Sequence, residues 1–218
     1  MNRDYLTAEQ VKSMLIAVSE AVVAAKDQLA DADRAIGDGD HGIGMANGFS
    51  AAKEKLEAAE PQDVYALFAL TGQTLIRVMG GASGIIFGSL FWAGAKGKEP
   101  QGTLSPKEFA GIFQAGLEDV MRKGGAKPGD KTVVDALDPM VKALQEQAEA
   151  GKDFLEVLRA GSAAAEAGKE ASKQYVAKFG KAKSLGERAV GFPDAGAVSL
   201  TVIAQAMLNW AEQEFQGA

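Results

Sequence analysis

The sequence predicts an all-α fold, with about eight antiparallel helices in an up-and-down arrangement. Apolar residues recur with the period of a helix in most segments, and the two-residue alternation of a strand is almost absent. Glycine-rich segments separate the periodic stretches, as turns between helices do. Of the 218 residues, 47% are hydrophobic and 24% are charged, which is an ordinary globular composition, so we expect a single domain over residues 1–218.

Four helices are predicted in the first half of the chain. Thr7 caps the first helix, Gln10 completes a capping box, and an apolar stripe continues to about Leu29. The next three helices are placed at residues 43–59, 63–78 and 85–94. The segment Gly80–Gly84 is expected to interrupt the chain before the last of these, which is apolar on nearly all faces, as a buried helix is.

Four more helices are predicted in the second half. Ser105, Pro106 and Glu108 supply a cap, a proline in the first turn and the glutamate of a second capping box, for a helix that reaches about Lys123. The other three helices are placed at residues 132–148, 154–179 and 197–214. The start of the last one also has strand propensity, but its apolar positions continue through Trp210 at helical spacing, which favours a helix.

The glycine-rich segments fall mostly at every other connection between successive helices. In an up-and-down bundle, alternate connections lie at the same end. These connections are residues 33–42, 80–84, 124–131 and 180–196. We therefore expect them to gather at one end of the bundle and to form a functional site there.

The composition excludes several kinds of partner and chemistry. The net charge of −6 disfavours nucleic acid as a partner, and the absence of cysteine excludes disulfides and thiolate catalysis. An uncharged run at residues 78–95 is interrupted by glycines, so it does not predict a membrane span. The opening residues lack the apolar core of a signal peptide, and the expected compartment is the cytoplasm.

Residues 33–48 are the part of the sequence best suited to chemistry, because three aspartates and the only histidine lie there among glycines. Three of the glycines match the G-x-G-x-x-G pattern of dinucleotide-binding loops: Gly37, Gly39 and Gly42. Asp38 and Asp40 oppose that interpretation, since a carboxylate about 4 Å from a phosphate oxygen costs roughly 4 kcal/mol at an effective dielectric near 20. A phosphate fits this loop only with a cation between it and the aspartates.

Asp33, Asp38 and Asp40 are candidate ligands for that cation. Magnesium prefers hard oxygen ligands, and it is usually bound by carboxylates together with substrate phosphates and water. The alternative is that the aspartates only cap helices and fill a turn. His41 is the less suitable metal ligand, and it has two other interpretations, contact with a phosphate or a cap for the loop.

Two further glycine-rich segments are candidate walls of an anion site. Gly81, Ala82 and Ser83 precede an apolar helix, whose first N–H groups and dipole attract anions, although the same residues also suit a tight turn between helices. The segment 124–132 resembles a P-loop, but Asp130 stands before its lysine and no strand precedes it, so it is not one. It is retained as a candidate wall for a ligand.

The last long loop supplies positive charge from Lys181 and Arg188, and Asp194 and Gly196 lie just before a helix start. A solvated loop is the alternative interpretation of this segment. Arrangements of serine, cysteine and histidine for nucleophilic catalysis are not supported, because cysteine is absent and the histidine has no evident serine partner in the sequence.

Taken together, these stretches resemble the L subunit, the nucleotide-binding component, of dihydroxyacetone kinases. The similarity covers roughly residues 6–211 and depends on four motifs in the family's order and spacing: D-R-A-I-G-D-G-D-H-G, G-G-A-S-G, K-P-G-D-K-T and G-E-R-A-V-G. The resemblance implies an eight-helix barrel that binds ADP or ATP through magnesium at one end. It also implies a part in phosphoryl transfer within glycerone and glycerol metabolism.

The resemblance assigns roles to individual residues. Asp33, Asp38 and Asp40 match the metal-binding aspartates. The positions around the nucleotide are matched by His41, Gly42, Ile43, Gly44, Ala82, Ser83, Gly124, Val133, Lys181, Asp194, Ala195 and Gly196, and the arguments from the residues themselves add Gly81 and Arg188. Two positions depart from the family pattern: Gly44 stands where many relatives have asparagine, and Ala195 stands where the family usually has proline.

The resemblance also implies partners. In the family, a separate K subunit holds the ketose covalently through a histidine of its own, so no catalytic residue beyond the metal site is expected on this chain. For free-standing L subunits, a phosphotransferase-system protein usually recharges the bound ADP. The alternatives are an ATP-dependent kinase subunit for a four-carbon ketose such as erythrulose and a nucleotide-binding regulator without catalytic activity. A homodimer is an open alternative for the assembly.

Overall fold

A computed structural model describes residues 3–216, and within this range the chain forms nine α-helices, one 3₁₀ helix and two short strands. The helices are α1 (Ala8–Ala24), α2 (Lys26–Arg34), α3 (His41–Ala58), α4 (Val64–Met79), α5 (Gly81–Trp92), α6 (Pro106–Gly124), α7 (Val134–Glu149), α8 (Phe154–Ser172) and α9 (Ala195–Gln216). The strands are β1 (Leu6–Thr7) and β2 (Thr103–Leu104), and the 3₁₀ helix covers Lys181–Ala189.

Eight of these helices close into a ring, which confirms the predicted all-α class and the antiparallel barrel. From α3 to α9, each helix packs against the next one along the chain. The ring is completed because α1 packs against both α3 and α9, while α2 is an addition that packs against α3 and α9. Since successive helices of the ring run in opposite directions, α3, α5, α7 and α9 all begin at the same end.

Both predicted capping boxes are present. Gln10 N donates to Thr7 Oγ1 at 3.3 Å, and Thr7 N donates to Gln10 Oε1 at 3.0 Å. The same reciprocal pair joins Ser105 and Glu108 at the start of α6, with Pro106 in its first turn. These caps satisfy N–H groups that have no partner within the helix, so the sequence determines where α1 and α6 begin.

The first predicted helix is two helices, because the chain bends at Ala25 between α1 and α2. The bend brings α2 against the start of α3 at Gly42. A Cβ atom at Gly42 would lie 2.2 Å from Lys26 O and 2.5 Å from Ala30 N. The two helices therefore meet backbone to backbone, and α2 leaves the line of α1 to make this contact.

Two other predicted boundaries differ from the structure. The interruption expected at Gly80–Gly84 is confined to its first two residues, since Gly80 and Gly81 have φ values of 63° and 56° and α5 already begins at Gly81. The helix predicted to reach residue 179 ends at Ser172. The Ser172 carbonyl accepts from Tyr175 N at 3.2 Å, a tighter turn than a helix makes, and from Lys131 Nζ at 2.7 Å. The helical hydrogen-bond ladder stops there.

A cluster of buried phenylalanines lies in the barrel interior. The ring of Phe68 lies 6.4 to 6.5 Å from the rings of Phe91, Phe109 and Phe113.

The two strands, which the sequence did not predict, pair Leu6 with Leu104 beside the start of α1. Among residues 3–216, no helix has the length and apolar character needed to cross a bilayer.

Candidate functional site

A cavity of about 860 Å³ lies at the end of the barrel where α3, α5, α7 and α9 begin. The four glycine-rich connections contribute to its walls, as the sequence predicted. From the first two connections, the predicted residues that line it are His41, Ile43, Gly44, Gly81, Ala82 and Ser83. From the other two, they are Gly124, Val133, Lys181, Asp194, Ala195 and Gly196.

Two predicted residues, Gly42 and Arg188, do not line the cavity. Gly42 is buried between α2 and α3, where its missing side chain allows their close approach. Arg188 is exposed in the 3₁₀ helix, and its Nε donates to the carbonyl of Leu185 at 3.4 Å. The role of Gly42 is therefore packing, and Arg188 points to no group of the site.

The three aspartates of the α2–α3 connection come together at the cavity. Carboxylate oxygens of Asp33, Asp38 and Asp40 all lie within 4.8 Å of one another. Asp33 organises the loop, because its Oδ2 accepts from the backbone N–H of Gly39 at 2.8 Å and of His41 at 3.4 Å. Three carboxylates at this separation form an oxygen-only donor set, which fits magnesium.

Lys181 brings a positive charge to the same carboxylates. Its ammonium group is bonded to Asp38 and lies 3.5 Å from Asp40 Oδ2. The hydrogen bond to Lys181 lowers the pKa of Asp38, and the same bond raises the pKa of Lys181. The ammonium group of Lys181 thus offsets part of the negative charge of the acidic loop. The sequence had indicated that this loop requires a cation before a phosphate can bind beside it.

The N-termini of four helices face the cavity. They attract negative charge, whereas the acidic loop attracts positive charge. The first residues of α3, α5 and α9 line the cavity, as do residues at the start of α7. In the described part of the chain, the N–H groups of Gly81, Ala82 and Ser83 at the start of α5 have no hydrogen-bond partner, whereas the first N–H groups of α7 donate to Thr132 and Val133. Helix N-termini attract anions through these groups and through the helix dipole.

His41 lies between the acidic loop and α9. Its Nε2 is 2.7 Å from Ser199 Oγ, and its Nδ1 is 3.4 Å from Ser83 Oγ. Burial lowers the pKa of His41, against the opposing effect of the charges on Asp33 and Asp40. The imidazole is therefore neutral near pH 7, and both of its nitrogens already have hydrogen-bond partners.

A buried cluster of charges supports the opposite wall. Lys131 is 1% exposed, and its Nζ donates to the carbonyls of Ser172 at 2.7 Å and Phe192 at 2.6 Å. Burial raises the pKa of Asp194 to about 7, and the charge of Asp135 adds to this shift, while hydrogen bonds from the start of α9 and the charge of Lys131 oppose it. Lys131 thus joins α8 to the loop that precedes α9.

Several residues of this site were not predicted from the sequence, among them Asn47, Lys131 and Ser199. Asn47 lines the cavity one helical turn after Gly44, and helical spacing from the acidic loop would have identified it. Lys131 lies in the segment that resembles a P-loop, which pointed to a ligand wall and gave no sign that the lysine is buried. Ser199 is 158 residues from His41, and no local pattern indicates their contact.

Comparison with known proteins shows a consistent set of relatives. A model of the DAK2 domain matches residues 35–209. The ADP-binding subunit DhaL of the PEP-dependent dihydroxyacetone kinase from Escherichia coli K12 is 35% identical over 209 residues, which are 96% of this chain and 99% of that subunit. The corresponding subunit of the PTS-dependent kinase from Lactococcus lactis is 35% identical over 204 residues, 94% of this chain and 98% of that subunit.

Longer relatives and a solved structure extend the comparison. A D-erythrulose kinase from Mycolicibacterium smegmatis is 34% identical over 204 residues, which cover 92% of this chain but 35% of that protein. The crystal structure of the dihydroxyacetone kinase from C. freundii in complex with AMP-PNP and Mg²⁺ matches with a TM-score of 0.70 and 27% identity, and covers 91% of this chain and 33% of that one.

Proposed function

Because this chain belongs to the DAK2 domain family, we propose that it is the nucleotide-binding subunit of a dihydroxyacetone kinase. In this role it brings a phosphoryl group from magnesium-bound ADP or ATP to a short ketose that a separate K subunit holds. The relatives that support the proposal are ADP-binding subunits, and this chain covers nearly their whole length.

One observation carries the proposal: the same cavity presents an acidic cluster and the N-termini of four helices. Neither a bare phosphate nor a bare metal ion suits both surfaces. A polyphosphate paired with a divalent cation does, because the carboxylates attract the cation and the helix N-termini attract the phosphate oxygens. The cavity volume of about 860 Å³ is within the usual range for small-molecule and cofactor sites.

Apolar side chains at the cavity provide a place for a nucleotide base. Ile43 is 50% exposed, Val78 is 45% exposed and Phe179 is 37% exposed, and all three line the cavity. Large apolar side chains left open to solvent in a concave site favour the binding of a flat, weakly polar group. A nucleotide thus matches the cavity at both its polar and its apolar parts.

In the proposed complex, Asp33, Asp38 and Asp40 would hold a magnesium ion, which would neutralise charge on the phosphates. The first turn of α5, with Ser83, would face the phosphates, and the ammonium group of Lys181, which lines the same cavity, would add positive charge near them. The residues of this chain bind and orient the nucleotide, and the acceptor comes from outside. Positioning and charge neutralisation are the main contributions that phosphoryl transfer requires.

The histidine of this chain does not offer a free nitrogen for attaching a ketose. The sequence contains one histidine, and both of its ring nitrogens are engaged by Ser199 and Ser83. This arrangement supports a separate K subunit as the carrier of the ketose. The K subunit, the phosphotransferase-system donor, a cytoplasmic location and a homodimer all stay predictions.

We infer that bound ADP recharged by a phosphotransferase-system protein is the first candidate for the donor, because the PEP-dependent and PTS-dependent relatives are ADP-binding subunits that match 94–96% of this chain. The erythrulose kinases match 92% of it at similar identity. An ATP-dependent subunit for a four-carbon ketose is the second candidate. Mass spectrometry of nucleotide released from the purified protein separates them: stoichiometric ADP supports recharging, and an empty site that exchanges ATP supports the second candidate.

Reconstitution tests the proposed activity itself. The purified chain is mixed with a K subunit, magnesium, the phosphoryl donor and dihydroxyacetone, and the ketose phosphate is measured. We expect product that depends on this chain. A regulator that binds nucleotide without catalysing would give bound nucleotide and no ketose phosphate, and that result would overturn the proposal.

A further inference from the structure

A buried serine of α9 holds the histidine of the site. Ser199 is 0% exposed, and its hydroxyl oxygen lies 2.7 Å from His41 Nε2. The two residues belong to helices that both begin at the cavity, and His41 lines the cavity while Ser199 lies behind it. The contact therefore joins α9 to the first residue of α3.

The second contact of Ser199 decides the direction of these hydrogen bonds. Ser199 Oγ lies 3.2 Å from the carbonyl oxygen of Ala195, one turn earlier in α9. A carbonyl oxygen can only accept, and the hydroxyl has one proton to donate. If the hydroxyl donates to Ala195, it accepts from His41, and both contacts are hydrogen bonds. The reverse direction would leave the lone pairs of two oxygens facing each other at 3.2 Å.

The proton on Nε2 determines what His41 offers on its other side. In a neutral imidazole, one nitrogen carries the proton and the other has a free lone pair. Nδ1 is therefore an acceptor, and the Ser83 hydroxyl, 3.4 Å away, is placed to donate to it. A chain of hydrogen bonds then extends from Ser83 at the cavity through His41 and Ser199 to the carbonyl of Ala195.

We propose that Ser199 is a positioning residue that fixes neutral His41 as the tautomer with its proton on Nε2. His41 then presents an acceptor nitrogen to the cavity, and this nitrogen sets the direction of the Ser83 hydroxyl at the start of α5. The tautomer follows from the contacts of the protein alone. Its effect on phosphoryl transfer rests on the proposed function.

Nitrogen-15 NMR tests the tautomer without interference, because the sequence contains a single histidine. In the labelled protein at about pH 8, where an ordinary imidazole is neutral, long-range ¹H–¹⁵N correlations report which ring nitrogen carries the proton. We expect Nε2–H in the wild type and in Ser199→Thr, which keeps the hydroxyl, and a mixture of tautomers in Ser199→Ala. A wild-type ring protonated on Nδ1, or an unchanged tautomer in Ser199→Ala, overturns the proposal.

A matched variant controls for the loss of a buried hydroxyl. Ser162 is a buried serine of α8 outside the cavity, where it donates to Gln205 Oε1 at 3.0 Å. Ser162→Ala should leave the His41 signals unchanged. Thermal unfolding of each variant confirms that it is folded before its spectrum is interpreted.

Kinetics of the reconstituted kinase test the consequence. We expect Ser199→Ala to lower the turnover rate by roughly two- to tenfold, the factor that one neutral hydrogen bond provides, with little change in the nucleotide KM. Ser199→Thr and Ser162→Ala should keep the wild-type rate. An altered tautomer with an unaltered rate overturns the positioning role in transfer. An inactive wild-type chain would instead contradict the proposed function, and the NMR result would still decide the tautomer.

Discussion

Lys181 and Asp38 form an ion pair across the cavity, although 143 residues separate them in the sequence. The same ammonium group lies 3.5 Å from Asp40. Lys181 therefore neutralises part of the acidic loop and competes with a metal ion for the same carboxylates. We expect Lys181 to weaken the binding of a metal ion alone and to strengthen the binding of a metal–nucleotide complex.

Replacing Lys181 by methionine tests this double role. We expect Lys181→Met to bind Mg²⁺ alone roughly two- to fivefold more tightly, since the exposed ammonium group no longer competes for the carboxylates. We expect the same variant to bind Mg²⁺–ADP more weakly, because a cation near the phosphates is lost. Calorimetric titrations measure both affinities. Lys183→Met, an exposed neighbour, is the control, and weaker binding of Mg²⁺ alone to Lys181→Met would contradict the account.

Two glycines at the start of α3 should respond to alanine with opposite signs. At Gly44, an added Cβ meets no atom within 4 Å, so Gly44→Ala should raise the free energy of unfolding by about 0.5–1 kcal/mol through helix propensity. At Gly42, the Cβ would lie 2.2 Å from Lys26 O, so Gly42→Ala should lower it by about 1–3 kcal/mol. Urea unfolding compares the two, and a loss of stability in Gly44→Ala equal to that in Gly42→Ala would contradict the packing described.

The raised pKa of Asp194 predicts a stability that falls as pH rises. The folded protein holds this proton up to about pH 7, whereas the unfolded chain releases it near the ordinary value of 3.8. Between these values the folded state binds more protons, so the free energy of unfolding decreases with increasing pH, by roughly 1–3 kcal/mol. The difference in stability between wild type and Asp194→Asn isolates the effect, because the amide oxygen can still cap α9. If the free energy of unfolding changed with pH in the same way in the wild type and in Asp194→Asn, the raised pKa would be ruled out.

Lys131 should be important for the stability of the wall that carries Asp194. Lys131→Met removes two charged hydrogen bonds and leaves the carbonyls of Ser172 and Phe192 without this donor, so we expect a loss of about 2–4 kcal/mol. Hydrogen exchange should also increase in residues 173–194. The control is Lys127→Met, since Lys127 is an exposed lysine of the same loop. Equal stability of the two variants would show that the buried lysine does not hold this wall.

The features that could be predicted from the sequence are those that local patterns determine. Helical periodicity located eight helices, and the capping boxes at Thr7 and Ser105 gave the starts of α1 and α6 within one residue. Alternate glycine-rich connections located the end of the barrel where the cavity lies. The family motifs then identified the acidic cluster and, with it, about half of the residues that line the cavity.

The features that the sequence missed depend on contacts between distant segments. The bend at Ala25 follows from the close approach of α2 to Gly42, and the early end of α8 follows from the hydrogen bond between Lys131 and Ser172. The contact between His41 and Ser199 joins opposite parts of the chain. No local pattern records such contacts, because each partner also has an ordinary role in its own helix or loop.

The formation of ketose phosphate by the reconstituted kinase tests the central claim most directly when it is measured with paired aspartate variants. The double variant Asp38→Asn/Asp40→Asn changes the acidic cluster, and Asp31→Asn changes an exposed carboxylate of α2 that pairs with Arg34 outside the cavity. We expect the wild type and Asp31→Asn to form product at equal rates, and the double variant to be slower by roughly a hundredfold or more. A folded double variant that keeps the wild-type rate would contradict the proposed site.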